Sequence, residues 1–309
     1  MPKVSVIIPT YNHADGVKET IASVLSQTER DMELIVVDDG STDGTRDAVV
    51  SLDDDRVRYL YKSNGGPASA RNHGLATATG RYVAFLDHDD LWPSSFLEVM
   101  QGHLRRRPDF GVAYSAITVR FEDGQEVKSY KRPRGESGWL TDALFRHGFV
   151  WTSATVIRAE ALRGIRFDES LRRSYEDGDF FLRLSMRTPF LFVSDVEAIK
   201  RQHQGNLSSE VGTNPTRILV LERFLFRLGG DKMIPRRLAR KRLSHACRSV
   251  ASVYRQMGRR TAARTLYRRA LSYRPYDLGL YTALIRASCL SRTRDPAPDW
   301  RMPDPLPDI

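Results

Sequence analysis

Three short acidic runs lie far apart in the chain, and one of them has the composition of a metal-diphosphate site. Asp87, Asp89 and Asp90 directly follow an apolar stretch. Carboxylates two positions apart can face one hard divalent cation, and Mg²⁺ or Mn²⁺ prefers such oxygen ligands. The phosphates of a ligand and water can supply the other ligands. The structural alternative is a solvated turn before a helix, because Asp also favours helix N-termini.

The other two runs have the residue types needed to hold a nucleotide and to move a proton. Asp38 or Asp39 could accept hydrogen bonds from a base or from ribose hydroxyls. Glu176 and Asp177 begin a helical pattern, where a carboxylate could act as a general base. Taken singly, these runs favour a structural interpretation, as an Asx-type turn and as an acidic helix start. Only their combination indicates a site.

The sequence around these runs alternates strands and helices. Apolar segments predict four strands, at Val4–Ile8, Glu33–Val37, Val57–Tyr61 and Tyr82–Leu86. Asp15 is placed to cap the helix after the first strand, and Pro93 to open a helix after the fourth. This order predicts an α/β fold with a doubly wound, mostly parallel, Rossmann-like sheet. Because such sheets bind ligands at the carboxyl ends of their strands, the polar residues there are candidates for one site.

The rest of the chain changes character twice. Residues 110–209 mix a helix near Asp177 with predicted strands at Val112–Phe121, Thr155–Arg158 and Phe190–Val193. From Pro215 the pattern is helical, and the spacing of small and aromatic residues after Ala251 resembles one tetratricopeptide unit. We therefore predict a catalytic domain at residues 1–210, a basic helical domain at 215–291 and a disordered, proline-rich tail at 292–309.

The positive charge is concentrated in the helical part. Residues 215–309 hold 21 Lys and Arg against 7 Asp and Glu, whereas residues 1–214 hold 27 against 31. The helical domain could contact an anionic membrane surface or an acidic glycan, or its cations could form a solvated face without a partner. The sequence lacks zinc-ligand spacing and an RNA-binding aromatic motif, so nucleic acid is not expected as a partner.

The remaining features suit a globular enzyme inside the cell. No run of about 18 apolar residues occurs, so no transmembrane helix is expected. Two cysteines in 309 residues argue against a disulfide framework and indicate the reducing cytoplasm. We expect a cytoplasmic protein, attached peripherally to the inner face of the cell membrane if the basic helices bind lipid.

Six stretches in register give the sequence a family resemblance. They are Val4–Asn12, Val36–Asp43, Asn64–Asn72, Phe85–Asp90, Glu176–Asp177 and Arg201–Ser208. In order and spacing, over roughly residues 1–210, they resemble family 2 of the glycosyltransferases, whose members are inverting enzymes with the GT-A fold. The resemblance implies that Mn²⁺ or Mg²⁺ is the cofactor.

The resemblance also implies a role for each matching residue. Asp177 would be the catalytic base, and Glu176 would orient that base or the acceptor. Asp89 and Asp87 would ligate the metal ion, and His203 would complete the metal site or contact the diphosphate. The nucleotide sugar would be bound by Pro9, Thr10, Tyr11, Asp38, Asp39, Arg71, Asn72, Asp87 and His88, with Asn72 supporting the loop that carries Arg71.

These roles predict transfer of a sugar from a nucleotide-diphosphate donor, preferably a UDP-sugar, to a hydroxyl of a glycan or lipid-linked acceptor. The product would belong to a cell-surface polysaccharide or lipopolysaccharide.

Two alternatives to this function stay open. A nucleotidyltransferase can share the sheet and acidic site, but it would typically carry a glycine-rich basic turn where this chain has Pro9–Asn12. A scaffold with an inactive transferase domain is disfavoured by the intact Asp39, Asp89 and Asp177.

Overall fold

The computed structural model of the chain describes residues 3–129, 135–171, 175–202 and 215–288. The chain divides into two compact units, Met1–Asn206 and Leu207–Ile309. The first unit contains all three acidic runs. The predicted tail at 292–309 lies outside the described residues.

The first unit is built on one mixed sheet of nine strands. In chain order these are β1 (Val4–Thr10), β2 (Met32–Asp38), β3 (Val57–Tyr61), β4 (Tyr82–Phe85), β5 (Asp90–Leu91), β6 (Val112–Phe121), β7 (Glu126–Ser129), β8 (Thr155–Arg158) and β9 (Phe190–Gln202). Their spatial order is β3-β2-β1-β4-β8-β6-β9-β5, and β7 pairs with β6. Strands β3, β2, β1 and β4 run parallel to one another, and β6 runs parallel to β9. Strands β5, β7 and β8 are antiparallel to the strands they pair with.

The parallel half of the sheet follows directly from the sequence. All seven residues of β1 and all seven of β2 are buried, which is why both strands are continuous runs rich in Val and Ile. Their spatial order, with β1 between β2 and β4, brings the carboxyl ends of these three strands to one edge. The prediction of a doubly wound, mostly parallel α/β sheet is confirmed for this half.

Among the described residues of this unit, six helices accompany the sheet. They are α1 (Ala14–Leu25), α2 (Thr45–Val50), α3 (Pro67–Thr77), α4 (Phe96–Arg106), α5 (Thr141–His147) and α6 (Glu176–Leu184). Short 3-10 turns occur at Thr152–Ala154 and Ala159–Leu162. Val17, Ile21 and Val24 of α1 are fully buried at helical spacing, as the sequence predicts.

Two predicted helix starts are wrong, each because a distant contact decides the local structure. Asp15 does not cap α1, which begins at Ala14; instead the Asp43 carboxylate accepts the Ala14 N–H at 3.1 Å. Pro93 does not open α4, which begins at Phe96. Residues just before Pro93 pair with β9, so the chain becomes helical only after that strand ends.

The described part of the second unit, residues 215–288, is helical. Its helices are α7 (Thr216–Arg227), α8 (Arg236–Gln256), α9 (Arg260–Tyr273) and α10 (Leu278–Ser288), with a 3-10 turn at Gly230–Lys232 between α7 and α8. Ala251 on α8 and Ala263 and Ala270 on α9 are fully buried, which lets these two helices pack closely. The resemblance to a tetratricopeptide unit stays a prediction. Within the described residues, no helix has the length and apolar character needed to cross a bilayer.

Candidate active site

The turn after β2 is shaped by Asp38 and Asp39, which face different partners. Buried Asp38 accepts hydrogen bonds from the Ser41 N–H at 2.7 Å and from the Tyr59 hydroxyl at 2.6 Å. Burial, and then the Asp38 charge, raise the pKa of Tyr59, so the phenol stays a donor. Asp38 therefore builds the turn itself, and its assignment to nucleotide binding stays a prediction.

Asp39 reaches the loop that leads into α3. Its carboxylate accepts hydrogen bonds from Lys62 Nζ at 2.7 Å, from the Gly65 N–H at 3.0 Å and from the Gly66 N–H at 2.7 Å. Gly40, with φ of 87°, leaves room for this loop, because a Cβ at that position would lie 2.8 Å from the Asn64 nitrogen. Asp39 thus fixes the start of α3 one helical turn before Arg71.

Arg71 joins two of the acidic runs. Its Nη2 donates to Asp87 Oδ1 at 2.7 Å, and its Nη1 donates to Glu176 Oε1 at 3.1 Å. The guanidinium is buried and lies over the Phe167 ring, 5.3 Å from the ring centroid. Its Nε has no hydrogen-bond partner in the described part of the chain. A single cation therefore holds the end of β4 against the start of α6, although Arg71 and Glu176 are 105 residues apart in the sequence.

Arg71 affects its two carboxylates differently. The Asp87 side chain is 34% exposed. Desolvation would raise the pKa of Asp87, but the charge and hydrogen bond of Arg71 hold that pKa below its ordinary value. Glu176 is more deeply buried; its desolvation, reinforced by repulsion from Asp177, raises its pKa despite Arg71. Asp87 is therefore the ionised partner of the pair at neutral pH, whereas Glu176 binds a proton more readily than an exposed glutamate.

The three aspartates after β4 occupy different surroundings. Asp90 is buried, and its Oδ1 has no hydrogen-bond partner among the described residues. Burial, together with repulsion from Asp87 and Asp89, raises the pKa of Asp90 to about 8. Asp89 is only half-buried, and its carbonyl oxygen accepts a hydrogen bond from Arg201 Nε. Asp89 and Asp87, unlike Asp90, are thus placed to present charged oxygens to a ligand.

The donor set for a metal ion is incomplete in the described residues. No group of three or more His, Cys, Asp or Glu side chains that could hold a metal occurs there, and His203 lies outside them. Asp89 and the partly exposed Asp87 have the oxygen chemistry that Mg²⁺ and Mn²⁺ prefer, and Mg²⁺ is often held by one or two carboxylates plus substrate phosphates. The residues present therefore fit a metal that arrives with a diphosphate, and the metal assignment stays a prediction.

The end of β1 offers one exposed aromatic ring to this edge. Pro9 and Thr10 are buried, and the Thr10 carbonyl accepts the Asp39 N–H at 2.9 Å. Tyr11, which follows, is 46% exposed. Asn12 has a left-handed φ of 47°, and its backbone N–H donates to Ser41 Oγ at 2.9 Å. The Tyr11 ring is accordingly accessible to a ligand, and its contact with a nucleotide stays a prediction.

Two predicted nucleotide contacts have other partners. Asn72 Oδ1 accepts the Phe167 N–H, and its Nδ2 donates to the Phe167 carbonyl, both at 2.9 Å. Asn72 thus fastens α3, which carries Arg71, to the segment at Phe167, and its assignment to nucleotide binding stays a prediction. His88 stacks on His13 with ring centroids 4.4 Å apart, and its carbonyl accepts the Thr20 hydroxyl. These contacts place His88 against the start of α1.

The start of α6 sets the directions of Glu176 and Asp177. Tyr175, the residue before the helix, has φ of 67°, a conformation that costs about 1–2 kcal/mol for a residue other than glycine. Its ring lies over Gly178, where a Cβ would meet ring carbons at 2.9 Å. Glu176 then reaches Arg71, while half-buried Asp177 accepts the Gly178 N–H at 2.6 Å. The turn thus directs the two neighbouring carboxylates to different partners.

A comparison with protein families decides the relationship. The model described as Glycosyl transferase family 2 matches residues 5–170, more than half of the chain. The chain belongs to glycosyl transferase family 2. Putative teichuronic acid biosynthesis glycosyltransferase TuaG of Bacillus subtilis is 40% identical over 132 residues, 42% of this chain and 52% of TuaG. Amylovoran biosynthesis glycosyltransferase AmsB of Erwinia amylovora is 33% identical over 215 residues, 64% of this chain and 69% of AmsB.

A solved structure of another protein has the same fold. The crystal structure of S. aureus TarS 1-349 in complex with UDP-GlcNAc superposes with a TM-score of 0.60 and 20% identity, covering 92% of this chain and 90% of that one. Together with the family match, this likeness confirms the predicted GT-A fold. For four of the curated relatives, the alignments span between 21% and 53% of the relative's own length.

The site therefore contains most of the residues that the sequence nominates, joined by contacts that the sequence does not reveal. Asp39 is connected to Arg71 through the loop and first turn of α3, and Arg71 contacts both Asp87 and Glu176. Lys62 was missed, because an isolated lysine before a glycine-containing loop carries no signal. Arg201 lies in a matching stretch, yet only the structure identifies the Asp89 carbonyl as its partner.

Proposed function

We propose that the chain is an inverting glycosyltransferase that moves a sugar from a UDP-sugar to a hydroxyl of a glycan or lipid-linked acceptor. The products would be cell-surface polysaccharide or lipopolysaccharide. The observation that carries this proposal is the Arg71 bridge, which draws the predicted diphosphate side, at Asp87, and the predicted acceptor side, at Glu176, to one cation. Family membership and the names of TuaG and AmsB support the polysaccharide context, and the TarS complex supports UDP as the first nucleotide to test.

Donor binding is assigned to the ends of β1 and β2. The exposed Tyr11 ring would contact the base, and Asp39 would receive the base or ribose while its contacts with Gly65 and Gly66 keep α3 in place. Asp38, whose oxygens are occupied by Ser41 and Tyr59, would act only through the shape of the turn.

The diphosphate is assigned to the acidic run after β4. Asp89 and Asp87 would hold Mn²⁺ or Mg²⁺, which when bound stabilises the negative charge that develops on the leaving nucleotide diphosphate. The Arg71 charge, shared by Asp87 and Glu176, keeps Asp87 ionised and fixes its orientation beside that ion.

Proton removal is assigned to Asp177. Its carboxylate would accept the proton of the acceptor hydroxyl as that oxygen attacks the anomeric carbon from the face opposite the diphosphate. The C–O bond to the acceptor forms as the bond to the diphosphate breaks, so a single displacement inverts the configuration. Glu176, anchored on Arg71, would hold the first turn of α6 and hence Asp177 in place.

The proposal is tested by incubating the purified chain with a panel of nucleotide sugars and Mn²⁺ and measuring release of the nucleoside diphosphate. We expect release of UDP from at least one UDP-sugar. If the chain instead released pyrophosphate when given a nucleoside triphosphate and a sugar phosphate, it would be a nucleotidyltransferase.

Asp89→Ala should weaken the Mn²⁺-dependent affinity for UDP in calorimetry, whereas Asp123→Asn, in an exposed turn, should not. Unchanged affinity in Asp89→Ala would contradict the assignment of the metal site.

A further inference from the structure

The turn between α7 and α8 presents cations and large apolar side chains together. Lys232, Arg236, Arg237, Arg240 and Lys241 are all exposed there. Phe226, at the end of α7, is 60% exposed, and Met233 is 40% exposed. We call these seven residues the basic turn patch. The only acid in the stretch from 226 to 241 is Asp231.

The turn that carries the patch is folded firmly against α7. The Leu228 N–H donates to the Arg223 carbonyl at 3.2 Å, and the Met233 and Ile234 N–H groups both donate to the Gly230 carbonyl. Gly230 lies against the Phe224 ring, where a Cβ would come within 2.2 Å of a ring carbon. Ile234 is buried, so Met233 and the start of α8 are held in fixed positions between buried residues.

The cations of the patch gain no ion-pair stabilisation from the described part of the chain. None of the five takes part in an ion pair within the described part of the chain. Four of them lie in the first two turns of α8, where the helix dipole disfavours positive charge, and no side chain caps this helix. The pKa of His245, one turn further along, is lowered by desolvation and then by the charges of Arg217, Arg248 and Lys241. Within the described part of the chain, the patch therefore carries a net positive charge without ion-pair partners, which would attract an external anion.

The apolar members of the patch identify the kind of anion. A soluble polyanion would be bound by the cations alone and would gain nothing from Phe226 and Met233. A membrane interface offers phosphate groups beside acyl chains, so basic and bulky apolar side chains on one surface are typical of peripheral membrane binding. The free N–H groups at the start of α8 can also donate to headgroup phosphates.

We infer that the basic turn patch binds the surface of membranes that contain anionic phospholipid. The cations attract the headgroups, and Phe226 and Met233 enter the boundary between headgroups and acyl chains. This inference does not depend on the proposed catalytic residues, since binding to lipid can be measured without any transfer reaction.

The experiment is co-sedimentation of the whole chain with vesicles of phosphatidylcholine and with equimolar vesicles of phosphatidylcholine and phosphatidylglycerol. We expect binding to the anionic vesicles only, and binding that weakens as salt rises above about 0.15 M, because screening shortens the reach of the cations. Replacing Arg236, Arg237, Arg240 and Lys241 together by Gln should lower partitioning by on the order of a hundredfold or more. Phe226→Ser with Met233→Ser should lower it by about tenfold, since apolar burial is lost while the charge is kept.

The matched control removes the same charge elsewhere in the helical unit. Arg248, Arg255, Arg268 and Arg286 are exposed cations outside the patch, and their joint replacement by Gln should reduce partitioning by no more than a few-fold. An equal loss in both quadruple variants would show a diffuse charge effect and overturn the inference. A second result would also overturn the inference: the wild type and the Phe226/Met233 variant bind anionic vesicles equally, and the chain binds soluble heparin tightly. That result would identify an acidic polymer as the ligand. Circular dichroism confirms that each variant is folded.

Discussion

Replacing Arg71 by Met removes the cation that Asp87 and Glu176 share while keeping an unbranched side chain over the Phe167 ring. Breaking a buried ion pair by removing one partner costs about 3–5 kcal/mol, because the remaining charge is left uncompensated. Asp87 is 34% exposed, so water recovers part of this loss, and the lower end of the range applies. We expect a free energy of unfolding lower by about 3 kcal/mol at neutral pH. For a unit of this size that corresponds to a midpoint roughly 6–12 °C lower.

The loss should also depend on pH, with a sign fixed by the pKa of Asp87. That pKa is lowered in the folded protein, so the pairing of Asp87 with Arg71 contributes its full stability above the unfolded pKa near 3.8. The contribution disappears as the pH falls through the folded pKa. In the variant, Asp87 and Glu176 take up protons at higher pH, since the cation is gone. The difference between wild type and variant should therefore be largest near neutral pH and shrink on acidification.

Urea unfolding at about pH 7, about pH 5 and about pH 3 measures this difference. Between about pH 7 and about pH 5 the difference follows proton uptake by the two carboxylates in the variant, and below about pH 4 it follows proton uptake by Asp87 in the wild type. The control is Arg120→Met, which breaks the exposed Arg120–Glu126 pair and should cost less than about 1 kcal/mol. Arg71→Lys keeps the charge but cannot reach both carboxylates with a planar fork, so an intermediate loss is expected. If Arg71→Met were as stable as Arg120→Met at neutral pH, the bridge would not have the energetic role assigned to it.

Three further predictions concern other buried carboxylates. Asp39→Asn should weaken UDP binding in calorimetry by about tenfold, because charged hydrogen bonds to Lys62 and the Gly65–Gly66 backbone are lost. An affinity for UDP within twofold of that of the wild type would contradict the role of Asp39. The pKa of Asp90 is raised to about 8, so burial of its carboxylate lowers the free energy of unfolding progressively as the pH rises from about 4 to 8. The free energy of unfolding of Asp90→Asn should therefore rise relative to that of the wild type by on the order of 1–3 kcal/mol between pH 5 and pH 8. A pH-independent difference in metal-free urea titrations would refute this. Glu222→Gln should destabilise the helical unit by about 2–3 kcal/mol in thermal melts, because this fully buried carboxylate accepts hydrogen bonds from Arg269 and Tyr273. A change below about 0.5 kcal/mol would indicate that the Glu222–Arg269 ion pair is not formed.

The parallel half of the fold could be predicted because its information is local. Each of β1 and β2 is a continuous apolar run, and buried parallel strands require that pattern. The position of the acidic runs at the carboxyl ends of β2 and β4 follows from the same reasoning. The structure brings these runs to the edge of the sheet that the sequence predicts, and their functional roles stay predictions.

The other half depends on pairings between distant residues. The two-residue strand β5 exists because Asp90 and Leu91 pair with Lys200 and Ile199, more than a hundred residues later. No local pattern distinguishes these two residues from a turn, which is why α4 was expected to begin too early. For the same reason β9 continues to Gln202 although its apolar run ends near Val193.

Within the site, the sequence identifies residue types but not their surroundings. Asp87, Asp89 and Asp90 are consecutive or nearly so, yet Asp87 pairs with Arg71, Asp89 is half-buried and Asp90 is held away from water with a raised pKa. Spacing alone cannot make these distinctions, because they follow from which side chains the fold places opposite each carboxylate. The choice of Phe167 as the partner of Asn72 is another such case.

The most direct test of the account is the effect of Asp177→Asn on transfer and on nucleotide binding in the same preparation. Asp177 is assigned to proton removal from the acceptor and not to nucleotide binding, and a general base contributes about 10²–10⁴-fold to the rate. The account predicts a fall in transfer by about that factor, with UDP affinity in the presence of Mn²⁺ within a few-fold of wild type. Transfer that persisted near the wild-type rate would contradict it, as would a parallel loss of nucleotide binding.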